Sequence, residues 1–189
     1  MACILILSMQ SCLGVPPITL ISAFSQLPLL QTLQISGVPS TVIPSIMACL
    51  PNLIALDTNY YERHGNYPLP STPLPRLQWL TIRAGSVDDC RADELWDWTR
   101  SLIPHKGSLQ SFSLVSFDIT TSLAFVTRLI RRHGQSLTQF RVGLAPVTPE
   151  VLIYLCSNCP GLALLQCSVV GVDTVGQALS FRMQLRNIS

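Results

Sequence analysis

Apolar residues recur along this chain in a fixed phrase: an anchor, two variable positions, a second anchor, one variable position and a third anchor. The phrase reads Leu30-x-x-Leu33-x-Ile35, Leu53-x-x-Leu56-x-Thr58 and Leu77-x-x-Leu80-x-Ile82. It returns as Leu109-x-x-Phe112-x-Leu114, Leu137-x-x-Phe140-x-Val142 and Leu162-x-x-Leu165-x-Cys167, and Ile4-x-x-Leu7-x-Met9 is a weaker first copy. Successive first anchors stand 26, 23, 24, 32, 28 and 25 residues apart. The last two anchors of each copy are separated by one residue, the spacing of neighbours on one face of a strand. With those anchors inward, the residues between them turn outward: Thr32, Gln34 and Ser36, then Ala55, Asp57 and Asn59, then Trp79, Thr81 and Arg83. Ser111, Ser113 and Val115 follow, then Gln139, Arg141 and Gly143, and finally Leu164, Gln166 and Ser168. Most are polar or small, a sorting that a chance repetition would not produce.

Between these strands the apolar spacing changes to that of helices. In residues 121–133, Leu123, Val126, Leu129 and Ile130 fall on one helical face with arginines opposite. Thr120 or Thr121 suits the cap, and Gly134 suits a left-handed stop. Residues 149–158 start with Thr148 as cap and Pro149 at the first helical position, and Val151, Leu152 and Leu155 form the apolar face. Weaker helices are expected at 17–26, 41–49, 91–103 and 173–185, where Pro44 either keeps the second one short or sits in its first turn. Two stretches depart from the repeat. Residues 62–75 carry four prolines and read as an irregular loop. Residues 84–107 form the longest insertion and hold Trp96, Trp98 and a run of acids; insertions in repeat arrays fall on one face, which often binds.

The period is that of leucine-rich repeats, in which each unit is a short strand plus a helix or turn. One unit cannot bury its apolar face alone, so units stack. The expected fold is therefore an α/β leucine-rich-repeat solenoid forming a single domain over residues 1–189. Its curved parallel sheet should hold about seven strands, with helices and loops on the convex face and right-handed crossovers.

Composition narrows the function. Apolar residues make up 48% of the 189 and charged residues 12%, about half the usual charged share, which argues for a large core. A net charge of +2 gives no basic stripe of the kind nucleic-acid binders carry. No run reaches the length of a membrane span. The opening Met1–Met9 segment resembles a signal-peptide core but lacks a positive start, and it fits the first strand better. Seven cysteines among apolar neighbours read as reduced thiols that pack as small hydrophobes, which points to cytoplasm or nucleus.

No chemistry announces itself. Cys156-x-x-Cys159 lacks the further ligands of a zinc site and reads as two thiols packed at a helix-to-strand turn. His64, His105 and His133 are dispersed in loops or at helix ends, and Arg128, Arg131 and Arg132 read as a solvated helix face. No phosphate loop, nucleophile elbow or metalloprotease motif is present. The expectation is a protein without catalytic, cofactor-binding or metal-ligating residues.

The segment Thr148-Pro-Glu-Val-Leu-Ile-Tyr-Leu-Cys-Ser-Asn-Cys-Pro-Gly-Leu162 resembles the cysteine-containing leucine-rich repeat of F-box proteins, where a short helix ends in Cys-Pro before Leu-x-x-Leu. Leu50-Pro-Asn-Leu and Leu74-Pro-Arg-Leu echo that junction, and Arg131-Arg-His-Gly-Gln-Ser-Leu-Thr-Gln-Phe140 is similar to fungal F-box/leucine-rich-repeat proteins. The resemblance implies that the repeats recognise substrates of a ubiquitin ligase. It also implies a Skp1-type adaptor as partner where an F-box is encoded upstream, because the repeat here begins at Ile4 with no F-box before it. The inner curve of such an array is its binding surface. The expected contact residues there are Gln34, Asp57, Asn59, Trp79, Thr81, Arg83, Ser113, Arg141 and Gln166. Trp79 in particular is expected either to meet a partner, as exposed tryptophans do, or to pack under the 84–107 insertion. The alternatives are a stand-alone scaffold or regulatory repeat protein, and a secreted recognition protein.

Overall fold

A computed structural model describes residues 5–61, 76–85, 92–103, 109–115, 123–169 and 179–184. Eight strands form one open sheet in the order in which the chain makes them. They are β1 (Leu5–Met9), β2 (Leu30–Ile35), β3 (Ala55–Tyr60), β4 (Trp79–Ala84), β5 (Ser111–Val115), β6 (Gln139–Val147), β7 (Leu164–Val169) and β8 (Leu179–Gln184). The first seven run parallel, each beside the next. The eighth is antiparallel to β7. Five helices are α1 (Pro17–Ser25), α2 (Ile43–Ala48), α3 (Ala92–Leu102), α4 (Leu123–His133) and α5 (Pro149–Asn158).

The repeated phrase fixes the register. Second anchors stand side by side across the sheet: Leu7, Leu33, Leu56, Leu80, Phe112, Phe140 and Leu165. Third anchors do the same from Met9 through Ile35, Thr58 and Ile82 to Leu114. The first anchors Leu30, Leu53, Leu77, Leu109, Leu137 and Leu162 are all buried where the chain enters the strands. There the backbone steps from unit to unit: Ile54 N–H donates to Gln31 O, Gln78 to Ile54, Gln110 to Gln78, Thr138 to Gln110 and Ala163 to Thr138, each at 2.8 Å. Asn52 braces the same edge, donating to Pro28 O at 2.9 Å and accepting from Arg76 at 2.8 Å.

Helices cover one face of the sheet. Leu20 and Phe24 of α1, Ile43, Ile46 and Met47 of α2, and Val151 and Leu155 of α5 join the anchors in one core. An aromatic chain ties α3 and α4 to the sheet: Trp96 to Phe125 at 4.5 Å, Phe125 to Phe112 at 5.4 Å, and Phe112 to Phe140 at 5.7 Å between ring centroids. Trp98 packs at a tilt against Tyr60, ring centroids 5.2 Å apart, and donates its indole N–H to Ser40 O at 2.8 Å. Both tryptophans of the long insertion are thus core residues. All-parallel sheets are usually covered on both faces; here the other face carries half-buried and exposed side chains.

Several details depart from the sequence expectations. The expected helix at 173–185 contains β8 instead. Leu179-Ser-Phe-Arg-Met-Gln184 alternates apolar and polar residues, a two-residue period that suits a strand. Leu123 is exposed, and Phe125 takes its place in the buried face of α4. Gly134 does not adopt a left-handed conformation. A Cβ there would lie 2.6 Å from Asn158 O and 2.7 Å from Ile130 O, so glycine permits α4 to end against the end of α5. Thr148 makes no side-chain cap on α5; its hydroxyl meets Glu150, which holds that carboxyl below its ordinary pKa. The proline-rich loop at 62–75 and the expected caps Thr120 and Thr121 lie outside the described residues, as do the two flanks of α3 at 86–91 and 104–108.

Candidate partner-binding face

The open face is a lattice whose rows follow from the register. One row runs Ile6, Thr32, Ala55, Trp79, Ser111, Gln139 and Leu164. The next runs Ser8, Gln34, Asp57, Thr81, Ser113, Arg141 and Gln166. A third sets Asn59 beside Arg83 and Arg83 beside Val115. All nine residues expected from the sequence therefore share this face. Neighbouring strands lie about 4.8 Å apart, so the central group from Asp57 to Arg141 spans a distance that one bound segment can cover.

Two charged groups sit differently on this lattice. Arg83 reaches diagonally to Asp57, donating Nε–H to Oδ1 at 2.9 Å and an Nη–H to Oδ2 at 2.5 Å. This two-pronged contact, chiefly its hydrogen bonds, pushes the Arg83 pKa above its ordinary value, and the two charges cancel locally. Arg141 donates to Gln139 Oε1 at 2.9 Å, while its buried Nε–H has no acceptor among the described residues. Trp79, 41% exposed on the open face, stands on the same strand as Arg83 and in the row next to that of Asp57 and Arg141. Near the rim, Ser8 donates to Gln34 Oε1 at 3.2 Å.

The alternation also puts Val115 on this face: it is as exposed as Trp79, at 41%, and stands next to Arg83. Its signal in the sequence is its position as the outward residue after Leu114. The outward pattern breaks at the far end. The pairing of β6 with β7 shifts between Arg141 and Pro146, and Gly143 adopts φ 55°. Ser168 is buried there, its hydroxyl 3.5 Å from Gly143 O.

The cysteine pair is split. Cys156 is exposed, contrary to the expected packing of both thiols, because it turns off the buried side of α5 that Val151 and Leu155 occupy. Cys159 is buried beyond the helix end, and desolvation, with the nearby Cys156, pushes its thiol up to about 11. Among the described residues, no three His, Cys, Asp or Glu side chains are placed to hold a metal ion. His133 is buried at the end of α4. A cavity beside it, lined by Arg100, Ile103, Phe125, Arg128, Leu129 and Arg132, offers about 10 Å³, the room of about one water. No helix among the described residues is long and apolar enough to cross a membrane. No protein-family model, curated protein or solved structure matches the chain.

Proposed function

We propose that this chain is a leucine-rich-repeat solenoid that recognises another protein through the open face of its sheet, without catalysis. Where an F-box is encoded with it, its role is substrate recognition in an F-box-type ubiquitin ligase. The observation that carries the reading is the central group on that face. An exposed tryptophan shares the middle of this face with a neutralised Asp57–Arg83 pair and with half-buried Arg141. Tryptophan and arginine are the side chains that most often anchor protein interfaces. The strict register supports the solenoid part, since each unit places its outward residues beside those of the next.

Affinity capture from the source cells tests the reading, with the native chain compared with Trp79→Ala/Arg83→Ala/Arg141→Ala. Loss of a specific partner, at an unchanged unfolding midpoint, is the expected result. A triple variant that keeps every partner overturns the open-face assignment. Capture of a Skp1-type adaptor by the native full-length product tests the ligase role separately.

A further inference from the structure

On the open face, the outward residues of β5 are smaller than those on either side. Ser111 and Ser113 stand between Trp79 and Thr81 of β4 and Gln139 and Arg141 of β6. They floor a shallow trough along β5, with Trp79 on one side and Gln139 and Arg141 on the other. β4 and β6 lie two strand spacings apart, about 10 Å. That gap admits one extended chain but not a helix, which is about 10–12 Å wide with its side chains.

The two arginines of this region are satisfied differently. Arg83 spreads its Nε–H and Nη–H fork over both oxygens of Asp57, at 2.9 and 2.5 Å. Arg141 has the same fork and no carboxylate to fill it. One Nη–H goes to the neutral Gln139 at 2.9 Å, and the buried Nε–H has no acceptor among the described residues. Its neighbours across and along the strands are Ser113, Gln166 and Gln139, all uncharged. Asp57 is three strands away and engaged by Arg83. A half-buried charge gains most from an opposite charge that also fills its donors.

We propose, building on the open-face reading, that the partner segment is extended and acidic, lying along β5 and presenting an Asp or Glu side chain to Arg141. That carboxylate takes the place against Arg141 that Asp57 takes against Arg83. Charge complementarity selects this occupant. A basic segment would bring a like charge to Arg141, and a neutral one would leave the fork unfilled. Successive side chains of an extended chain point opposite ways. An acid turned to Arg141 therefore puts its neighbours on the side of Trp79, whose ring offers apolar surface to pack against.

Selection of random peptides on the immobilised full chain tests this, the peptides being displayed with both ends joined to a carrier so that side chains supply the only carboxylates. Enriched peptides should share an Asp or Glu at one fixed position. Changing that residue to Asn or Gln should weaken binding to the native chain about tenfold or more and cost nothing further on Arg141→Gln. Arg141→Lys, which keeps the charge without the fork, is the second variant should Arg141→Gln fail to fold, and it should bind the acidic peptides several-fold more weakly than the native chain. Peptides that need Trp79 but show no acidic preference overturn the carboxylate assignment and leave the open-face reading standing, as does an acidic preference that Arg141→Gln leaves in place. Peptides indifferent to both Trp79→Ala and Arg141→Gln, or a selection that enriches none, overturn both.

Discussion

The core face and the open face of this sheet are made by alternate residues of the same strands, yet they answer to different constraints. On the core face each position touches its equivalents on both neighbouring strands, and a misfit is transmitted. Seven second anchors in line are Leu, Leu, Leu, Leu, Phe, Phe and Leu. On the open face the equivalent row reads Ser8, Gln34, Asp57, Thr81, Ser113, Arg141 and Gln166, with no such uniformity. Packing sets the first list; the second is left to solvent and to whatever binds.

The sharpest way to break the comparison is to truncate two adjacent residues that point opposite ways. Phe112 is fully buried and touches the rings of Phe125 and Phe140. Phe112→Ala should cost about 3–5 kcal/mol. Ser113→Ala, one residue on, should stay within about 0.5 kcal/mol. Chemical denaturation of both variants checks this, and similar losses would mean that the register is wrong.

Polarity on the core side can be changed without mutation, by titration. Cys159 is buried and its thiol is pushed up to about 11. The folded state therefore holds this proton more tightly than the unfolded chain. The stabilisation is fully present below the ordinary thiol pKa near 9 and is lost as pH rises through about 11. The loss is bounded by about 2 kcal/mol, since solvent near the helix end screens part of the effect. Unfolding midpoints of the native chain should fall between pH 9 and 11 more steeply than those of Cys159→Ala. Parallel curves would show that this thiol titrates as it does in the unfolded chain.

A smaller effect of opposite sign is expected at the one polar third anchor. Thr58 occupies the position that Ile35, Ile82 and Leu114 fill in neighbouring strands, and its buried hydroxyl has no hydrogen-bond partner. Thr58→Val keeps the shape and removes an unsatisfied polar group, so it should stabilise by about 1 kcal/mol. A destabilised variant would show that the hydroxyl is bonded in solution.

These cases also show what the sequence could tell and where it fell silent. The register and the identity of the open face were legible because the phrase repeats, and each copy checks the others. β8 occurs once and carries no copy of the phrase, so its two-residue alternation had nothing to reinforce it. Gly134 looked like a helix stop because its real constraint, the Asn158 carbonyl 2.6 Å from where a Cβ would be, comes from a helix 15 or more residues away. The burial of Ser168 depends on the irregularity beside Gly143 in another strand. On the open face, alternation put Asp57 and Arg83 on adjacent strands, but their two-pronged pairing rests on side-chain conformations that spacing does not encode.

That pair supplies the smallest expected effect and the finest test of the contrast. Asp57 and Arg83 are 26% and 48% exposed, so water competes for both groups and salt screens them. Exposed ion pairs are worth about 0.2–1 kcal/mol in double-mutant cycles. The two-pronged geometry places this one toward the upper end of that range. A cycle of Asp57→Asn, Arg83→Gln and the double variant should therefore return a coupling below about 1 kcal/mol that shrinks with added salt. If the open face exists to present side chains, losing the pair should disturb recognition far more than stability: Asp57→Asn frees Arg83 and shifts the face toward positive charge while the unfolding midpoint barely moves. A coupling of several kcal/mol, insensitive to salt, would instead place the pair among the elements that hold the sheet together and erase the distinction between its faces at this point.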